Sequence, residues 1–294
     1  MINGKWYMVN DPMVNDQMVN NQMVNDPMVN DQMVNDQMVN DLMVNRKRYF
    51  IFFAYDGTNF HGSQTQPNGN TVQSELEAAF ATILRKPVAL TFAGRTDAGV
   101  HAEKMVAHFD WENTLPANLG NRLNALLPDT IAVDGIVPVA ESAHARFDAT
   151  SRTYRYRITT RKNPFTYHTH TRVAPGLDFE AMNEAAALLL GIQDFSSFCR
   201  AHTDAKTTIC DVREARWVQE NETEAYFVIT ANRFLRNMVR AVVGTLFEVG
   251  RGRMTPQLFA EVIAAHDRKR AGHSAPAEGL ALVQITYPEN IYPE

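Results

Sequence analysis

The chain has 294 residues, 45% of them hydrophobic and 21% charged, and a formal net charge of −5. That length supports one large domain or two medium ones. No apolar run reaches the roughly 18–20 residues that span a bilayer, and no signal-peptide core stands at the N-terminus. Two cysteines, Cys199 and Cys210, make no disulfide framework, so a cytoplasmic protein with reduced thiols is expected, with a bridge or metal pair as the other reading.

The charge is unevenly spread. Residues 1–45 hold one Lys and six Asp and carry the whole of the −5, so the remaining 27 basic and 27 acidic residues balance. A neutral domain still binds RNA where its basic residues gather on one face. Residues 8–45 contain MVN eight times at a spacing of five. That period matches neither a helix nor a strand, so no consistent apolar face results. Residues 1–45 are expected to be a disordered, low-complexity tail, with Met43 a candidate start for the folded part.

From Arg46 onward strand and helix signals alternate. RYFIFFAYD (48–56), rich in aromatic and β-branched residues, predicts a strand, and the turn formers of GTNFHGSQTQPNGN predict a loop. Residues 71–86 place Val72, Leu76, Phe80, Ile83 and Leu84 on one helical face. VALTFA (88–93) and KMVAHFDW (104–111) predict strands around FAGRTDAGVHA (92–102). RTYRYRITT (152–160) alternates aromatics with Arg and predicts a strand with one basic face. DFEAMNEAAALLL (178–190) predicts a helix capped by Asp178 and stopped by Gly191. AYFVITA (225–231) predicts a strand. FLRNMVRAVVGTLFEVG (234–250) predicts a helix with Leu235, Met238, Val239, Val242 and Val243 on its apolar stripe. Thr255-Pro256 opens another helix, to about His266. LALVQITYP (280–288) closes the chain as a strand. No regular βαβ rhythm emerges, which favours the α+β class with a largely antiparallel sheet. The folded part divides into residues 46–150 and 151–294.

Asp97 is the first candidate for chemistry. It lies between apolar runs, where a buried carboxylate is expensive unless paired. Gly94 and Gly99 permit a tight loop around it. Either Asp97 bonds its own turn, or its carboxylate is needed where it stands. A metal reading would join Asp97, His101 and His108, but a four-residue spacing converges on a helix and the downstream run is strand-like. Arg146, Arg152, Arg155, Arg157, Arg161 and Lys162 are interleaved with Phe147, Tyr154 and Tyr156, and Arg233, Arg236, Arg240, Arg251 and Arg253 follow. Such residues make either solvated faces or a surface that holds phosphates and stacks bases. Arg240 differs from the rest. It sits in a mostly apolar helix, so it needs a partner, and Asp97 is the candidate.

Seven segments occur in the order found in the TruA-type tRNA pseudouridine synthases: YDGTNFHGSQTQPNGNTVQ, FAGRTDAGVHA, NALLPDTIAV, HARFDATSRTYRYRI, DFSSFC, FLRNMVRAVVG and AGHSAPAEGLALVQITYP. The chain resembles that family from about Tyr49 to Pro288. The resemblance implies isomerisation of uridine to pseudouridine at positions 38, 39 and 40 of the tRNA anticodon stem-loop. It also implies a homodimer without metal or organic cofactor, and a pseudouridine synthase fold of two related RRM-like halves around a central cleft. It makes Asp97 the catalytic aspartate, Arg240 its partner, Tyr154 the ring against the target uracil, and Arg95 a residue for RNA binding and base ejection. Ser63 stands where the family usually has Trp, which is expected to loosen a loop near the cleft. His273 and Ser274 replace common Pro and Thr, and the repeat has no counterpart.

The reaction explains these residue types. A carboxylate can attack C1′ or remove the 2′ proton to give a glycal. Burial disfavours a charged carboxylate, and an adjacent guanidinium opposes that. Two other classes remain at this point. A non-catalytic RNA-binding protein would not need Asp97 and Arg240 together. A hydrolase using Asp97, His101 and His108 would need a metal.

Overall fold

The computed structural model describes residues 46–67, 69–200 and 206–293, so the expected tail of residues 1–45 lies outside the described residues. Strand β1 (Lys47–Tyr55) pairs antiparallel with β3 (His101–Trp111) on one side and β4 (Ile131–Val139) on the other. Consecutive Phe50 and Ile51 are both fully buried, so both faces of β1 are covered. That is why its sequence is a continuous apolar run instead of an alternation. Helix α1 (Val72–Leu84) opens on a capping box between Thr71 and Ser74 and buries Val72, Leu76 and Phe80.

The VALTFA run corrects expectation. Only Thr91 and Phe92 form a strand, β2 (Thr91–Phe92), paired with β3. The backbone of Leu90 is satisfied by α1 side chains instead of a ladder: Leu90 N donates to Glu77 and its carbonyl accepts from Gln73. Helix α2 (Leu119–Asn124) is too short to show a period, and β4 is an edge strand carrying Gly135 and Pro138. Neither was legible in advance.

In the second half of the chain β5 (Ser151–Thr159) lies between β9 (Glu224–Ala231) and β10 (Leu280–Thr286). Strand β8 (Ile209–Gln219) follows β9, and the short β7 (Gly191–Asp194) forms the edge. The two-residue β6 (Thr171–Arg172) adds to β5. Strand β10 also runs beside β3, so one ten-stranded sheet has the order β4-β1-β3-β10-β5-β9-β8-β7. Among the described residues its only parallel pairs are β10 with β3 and β5 with β6. The architecture is therefore α+β and largely antiparallel, as expected.

Helices α3 (Phe179–Ala187) and α5 (Pro256–Ala264) begin on the predicted caps, Asp178 and Thr255. Helix α4 (Met238–Gly250) begins four residues later than expected, because Asn237 takes a left-handed conformation at φ 65°. Every α4 residue except Arg240 and Glu248 is buried. One apolar cluster gathers around α4, with Tyr156, Trp217, Phe227 and Phe259. A second gathers around β1, β3 and α1, with Phe53, Phe80 and Phe109. Tyr154 packs against both clusters. Among the described residues no helix is long and apolar enough to cross a membrane.

Candidate active site

The loop between β2 and β3 carries Asp97, and three contacts fix the residue before it. Thr96 N donates to Ser63 Oγ at 2.9 Å, Ser63 N donates to Thr96 O at 3.3 Å, and the Tyr55 hydroxyl pairs with Thr96 Oγ1 at 2.8 Å. Ser63 is fully buried. The expected loosening at Ser63 is thus corrected, because its small hydroxyl bonds the Asp97 loop directly. Gly99 turns the loop with φ 77°, whereas Gly94 has neither a positive φ nor a close neighbour, so only one of the two glycines is required. Val100, next along the chain, is buried in the α4 cluster, while Ala102 belongs to the other. The loop therefore bridges the two cores and delivers Asp97 to α4.

There it meets Arg240. Arg240 Nη1 lies 3.4 Å from Asp97 Oδ2, and both side chains are about a quarter to a third exposed, at 22% and 33%. Arg240 Nε donates to Ala275 O at 2.7 Å, and Ala275 N donates back to Arg240 O at 2.8 Å. Gly244, one helical turn further, lets the segment at 273–275 approach: a Cβ there would stand 1.7 Å from His273 O.

Tyr154 completes the group. Its ring meets Phe234 edge-on at 5.1 Å. Burial pushes its hydroxyl up to about 12; nearby Arg152 opposes the shift and the Asp97 carboxylate adds to it. The hydroxyl therefore keeps its proton at neutral pH, and the side chain offers an apolar face with a polar tip. Tyr55, beneath Thr96, is raised further by burial.

The β5 arginines do not form one basic face. Alternation puts Arg152 with Tyr154 and Tyr156, and Arg155 and Arg157 on the other side. Arg155 lies over Tyr226 at 5.1 Å, and Arg157 pairs with Glu103. Arg152 bonds four carbonyls, those of Ala93, Arg146, Ala149 and Asn232. These precede the Asp97 loop, flank the start of β5, and precede the α4 turn, so one guanidinium ties the three segments together. Arg95 is exposed and bonds Gln64 instead of Asp97. Arg251 and Arg253 both pair with Glu248.

Asp97, His101 and His108 are not brought together. His101 Nδ1 accepts from Gly57 N at 3.0 Å and its Nε2 donates to Glu278 O at 3.1 Å. His108 Nδ1 accepts from Ala145 N at 3.1 Å, and burial lowers it to about 4. Both rings are engaged in holding backbone.

A family model described as tRNA pseudouridine synthase matches residues 51–148 and 185–288. The chain belongs to the tRNA pseudouridine synthase family. Members are isomerases that convert uridine to pseudouridine in tRNA. A tRNA pseudouridine synthase A of Parabacteroides distasonis is 55% identical over 249 residues, covering 84% of this chain and 98% of the relative. Its namesake in Bacteroides thetaiotaomicron is 53% identical over 251 residues, covering 84% and 93%. The one in Porphyromonas gingivalis is 51% identical over 249 residues, covering 83% and 99%. Both matched stretches of the family model contain a member of the charge pair, Asp97 in the first and Arg240 in the second. Residue type flagged that pair in advance. It did not flag Tyr55, Gly244 or Ala275, and it read Arg152 and Ser63 in other roles; these residues act through hydrogen bonds to the loops or through close approach.

Proposed function

We propose that the protein isomerises uridine to pseudouridine at positions 38, 39 and 40 of the tRNA anticodon stem-loop, with Asp97 as the catalytic carboxylate and no cofactor. The observation that carries this reading is the Asp97–Arg240 pair, 3.4 Å apart beside Tyr154 where two apolar cores meet. The reaction breaks the N1–C1′ bond and forms C5–C1′. The hydrogen that C5 gives up is balanced by one gained at N1, so no atom enters or leaves. Asp97 acts on the sugar, by attack at C1′ or by removal of the 2′ proton, and both routes need the same carboxylate at the same place. Arg240 places positive charge beside it. Tyr154 offers a ring to the detached uracil and a hydroxyl to its polar edge. Arg95, exposed two residues from Asp97, serves RNA contact and ejection of the target base, which costs a few kcal/mol of lost stacking.

In this reading the cleft lies between two related RRM-like halves that meet near residues 145–152, and two copies of the chain act together in the cytoplasm. The deciding experiment incubates the protein with unmodified tRNA, with and without a chelator, and maps pseudouridine by chemical probing. Product in the anticodon arm in both arms of the experiment is expected. No product, product elsewhere, or product lost on chelation would overturn the corresponding part. Light scattering of the purified protein tests the dimer.

A further inference from the structure

The segment before β5 presents an aromatic ring to solvent on an unusually fixed backbone. Phe147 is 74% exposed, and the Arg146 guanidinium lies 5.7 Å from its ring centroid. A solitary exposed Phe needs no explanation. The bonds beneath this one do. His144 N donates to Asp148 Oδ2 at 2.7 Å, and Asp148 N donates to His144 O at 3.1 Å. The N–H groups of Arg146 and Phe147 both donate to His144 Nδ1, at 3.1 and 3.4 Å. Ala145 is held at both ends, its N–H by His108 and its carbonyl by the Tyr287 hydroxyl at 2.6 Å. Arg48 holds Ala143 O at 2.9 Å. The His144 ring packs between Phe147 and His108, at 4.3 and 4.5 Å. A ring on so constrained a backbone has little conformational freedom left to lose on binding.

Its location is equally defined. Arg152 Nη2 holds Arg146 O at 2.6 Å and Ala93 O at 3.3 Å, joining this segment to the start of the Asp97 loop. Arg152 and Tyr154 leave the same face of β5, two residues and therefore roughly 7 Å apart. The positive charges of Arg146 and Arg233 both act on Arg152, so three guanidinium groups gather here against the Asp148 carboxylate and leave the neighbourhood net basic. An exposed ring, a guanidinium over it and a basic surround beside a nucleotide-handling site match the chemistry of an unpaired base with its phosphate.

We propose that Phe147 and Arg146 form a stacking platform for an unpaired nucleobase flanking the target uridine, the ring taking the base face and the guanidinium the adjoining phosphate. The proposal rests on the tRNA isomerase reading for its ligand. The test uses an anticodon stem-loop RNA with 2-aminopurine placed in turn at each position flanking the target. Binding and fluorescence are measured for the wild type, Phe147→Ala and Phe147→Tyr. Phe147 is exposed, so these changes leave the core intact. Quenching at one flanking position is expected with the wild type and Phe147→Tyr. Phe147→Ala is expected to lose that quenching and to bind roughly 5- to 150-fold more weakly, the range for removing one stacked base. Wild-type affinity and quenching in Phe147→Ala would overturn the platform. Quenching by a wild type that forms no pseudouridine would support the platform and overturn the isomerase reading, so the two failures are distinct.

Discussion

Arg240 and Ala275 hold each other twice, the guanidinium Nε on the Ala275 carbonyl at 2.7 Å and the Ala275 N–H on the Arg240 carbonyl at 2.8 Å. This leaves Nη1 aimed at Asp97. A long, flexible side chain is thereby fixed before substrate arrives, so its charge is in place without reorganisation. The same carbonyl-binding device recurs at Arg152. In both cases an arginine on the sheet-and-helix scaffold sets the geometry of the loops around Asp97.

Asp97→Asn removes the carboxylate while keeping its size and its place after Thr96. Turnover is expected to fall on the order of 10⁴-fold or more, as when a reacting group is deleted. Fold and tRNA affinity are expected to stay near wild type, because the contacts that fix the loop belong to Thr96, Ser63 and Tyr55. Single-turnover pseudouridine formation together with a filter-binding Kd checks both halves. Wild-type rates in the purified variant would remove Asp97 from the chemistry.

Arg240→Met keeps an unbranched stem that suits the apolar helix and deletes the guanidinium with its charge. It leaves Asp97 without its counter-charge and Ala275 O without its donor. The expected loss in kcat is about 10²-fold or more, the scale for removing one preorganised electrostatic partner. Arg240→Lys restores charge but cannot serve Ala275 and Asp97 with one planar fork, so an intermediate rate is expected. Thermal melts alongside the kinetics separate catalysis from stability. A folded Arg240→Met protein with wild-type kcat would show that the pair is only structural.

Long elements with agreeing signals were legible from sequence. Asp178 and Thr255 cap the helices they were expected to cap, and β5, β9 and β10 occupy their predicted runs. Strand β8 was not legible because a bulge between Val212 and Glu214 breaks its alternation, so Cys210 and Val212 are buried first and then Ala215 and Trp217. The Asp97–Arg240 pair was legible because a charge on an apolar helix demands a partner. Arg152 was grouped with the other β5 arginines although alternation sets it on the Tyr154 side, and its partners are carbonyls, which leave no mark in residue type. Ser63 was misjudged for the same reason: its contribution is a bond to the backbone of Thr96.

Gly244→Ala tests whether close approach to α4 sets the Arg240 geometry. In an ordinary helix interior this change would stabilise by up to about 1 kcal/mol. Here the new Cβ would sit 1.7 Å from the His273 carbonyl oxygen, so the 273–275 segment must move away. Overpacking costs about 1–3 kcal/mol, and a clash with a backbone carbonyl lies at the upper end, which reverses the sign. Denaturant melts should show the loss. Turnover should fall further than the unfolded fraction explains, because moving Ala275 releases Arg240. A stabilised, fully active Gly244→Ala protein would contradict both expectations.

His108 makes acid sensitivity predictable. Burial lowers it to about 4; Arg48 and His144 push the same way, and Asp110 and Asp148 oppose. In the unfolded chain a histidine titrates near 6.5. Well above about pH 6.5 the residue is neutral in both states and contributes no pH dependence. As pH falls through about 6.5 the unfolded chain takes up the proton first, so stability declines until about pH 4 and then levels, a total of roughly 3 kcal/mol. His144 is lowered as well, chiefly by burial, and steepens the same window. His108→Asn keeps an acceptor near the Nδ1 position for Ala145 N and removes the titration. Urea melts across pH 4–7.5 should show a clearly shallower decline in this variant than in the wild type. An unchanged slope would mean that another buried group governs acid unfolding.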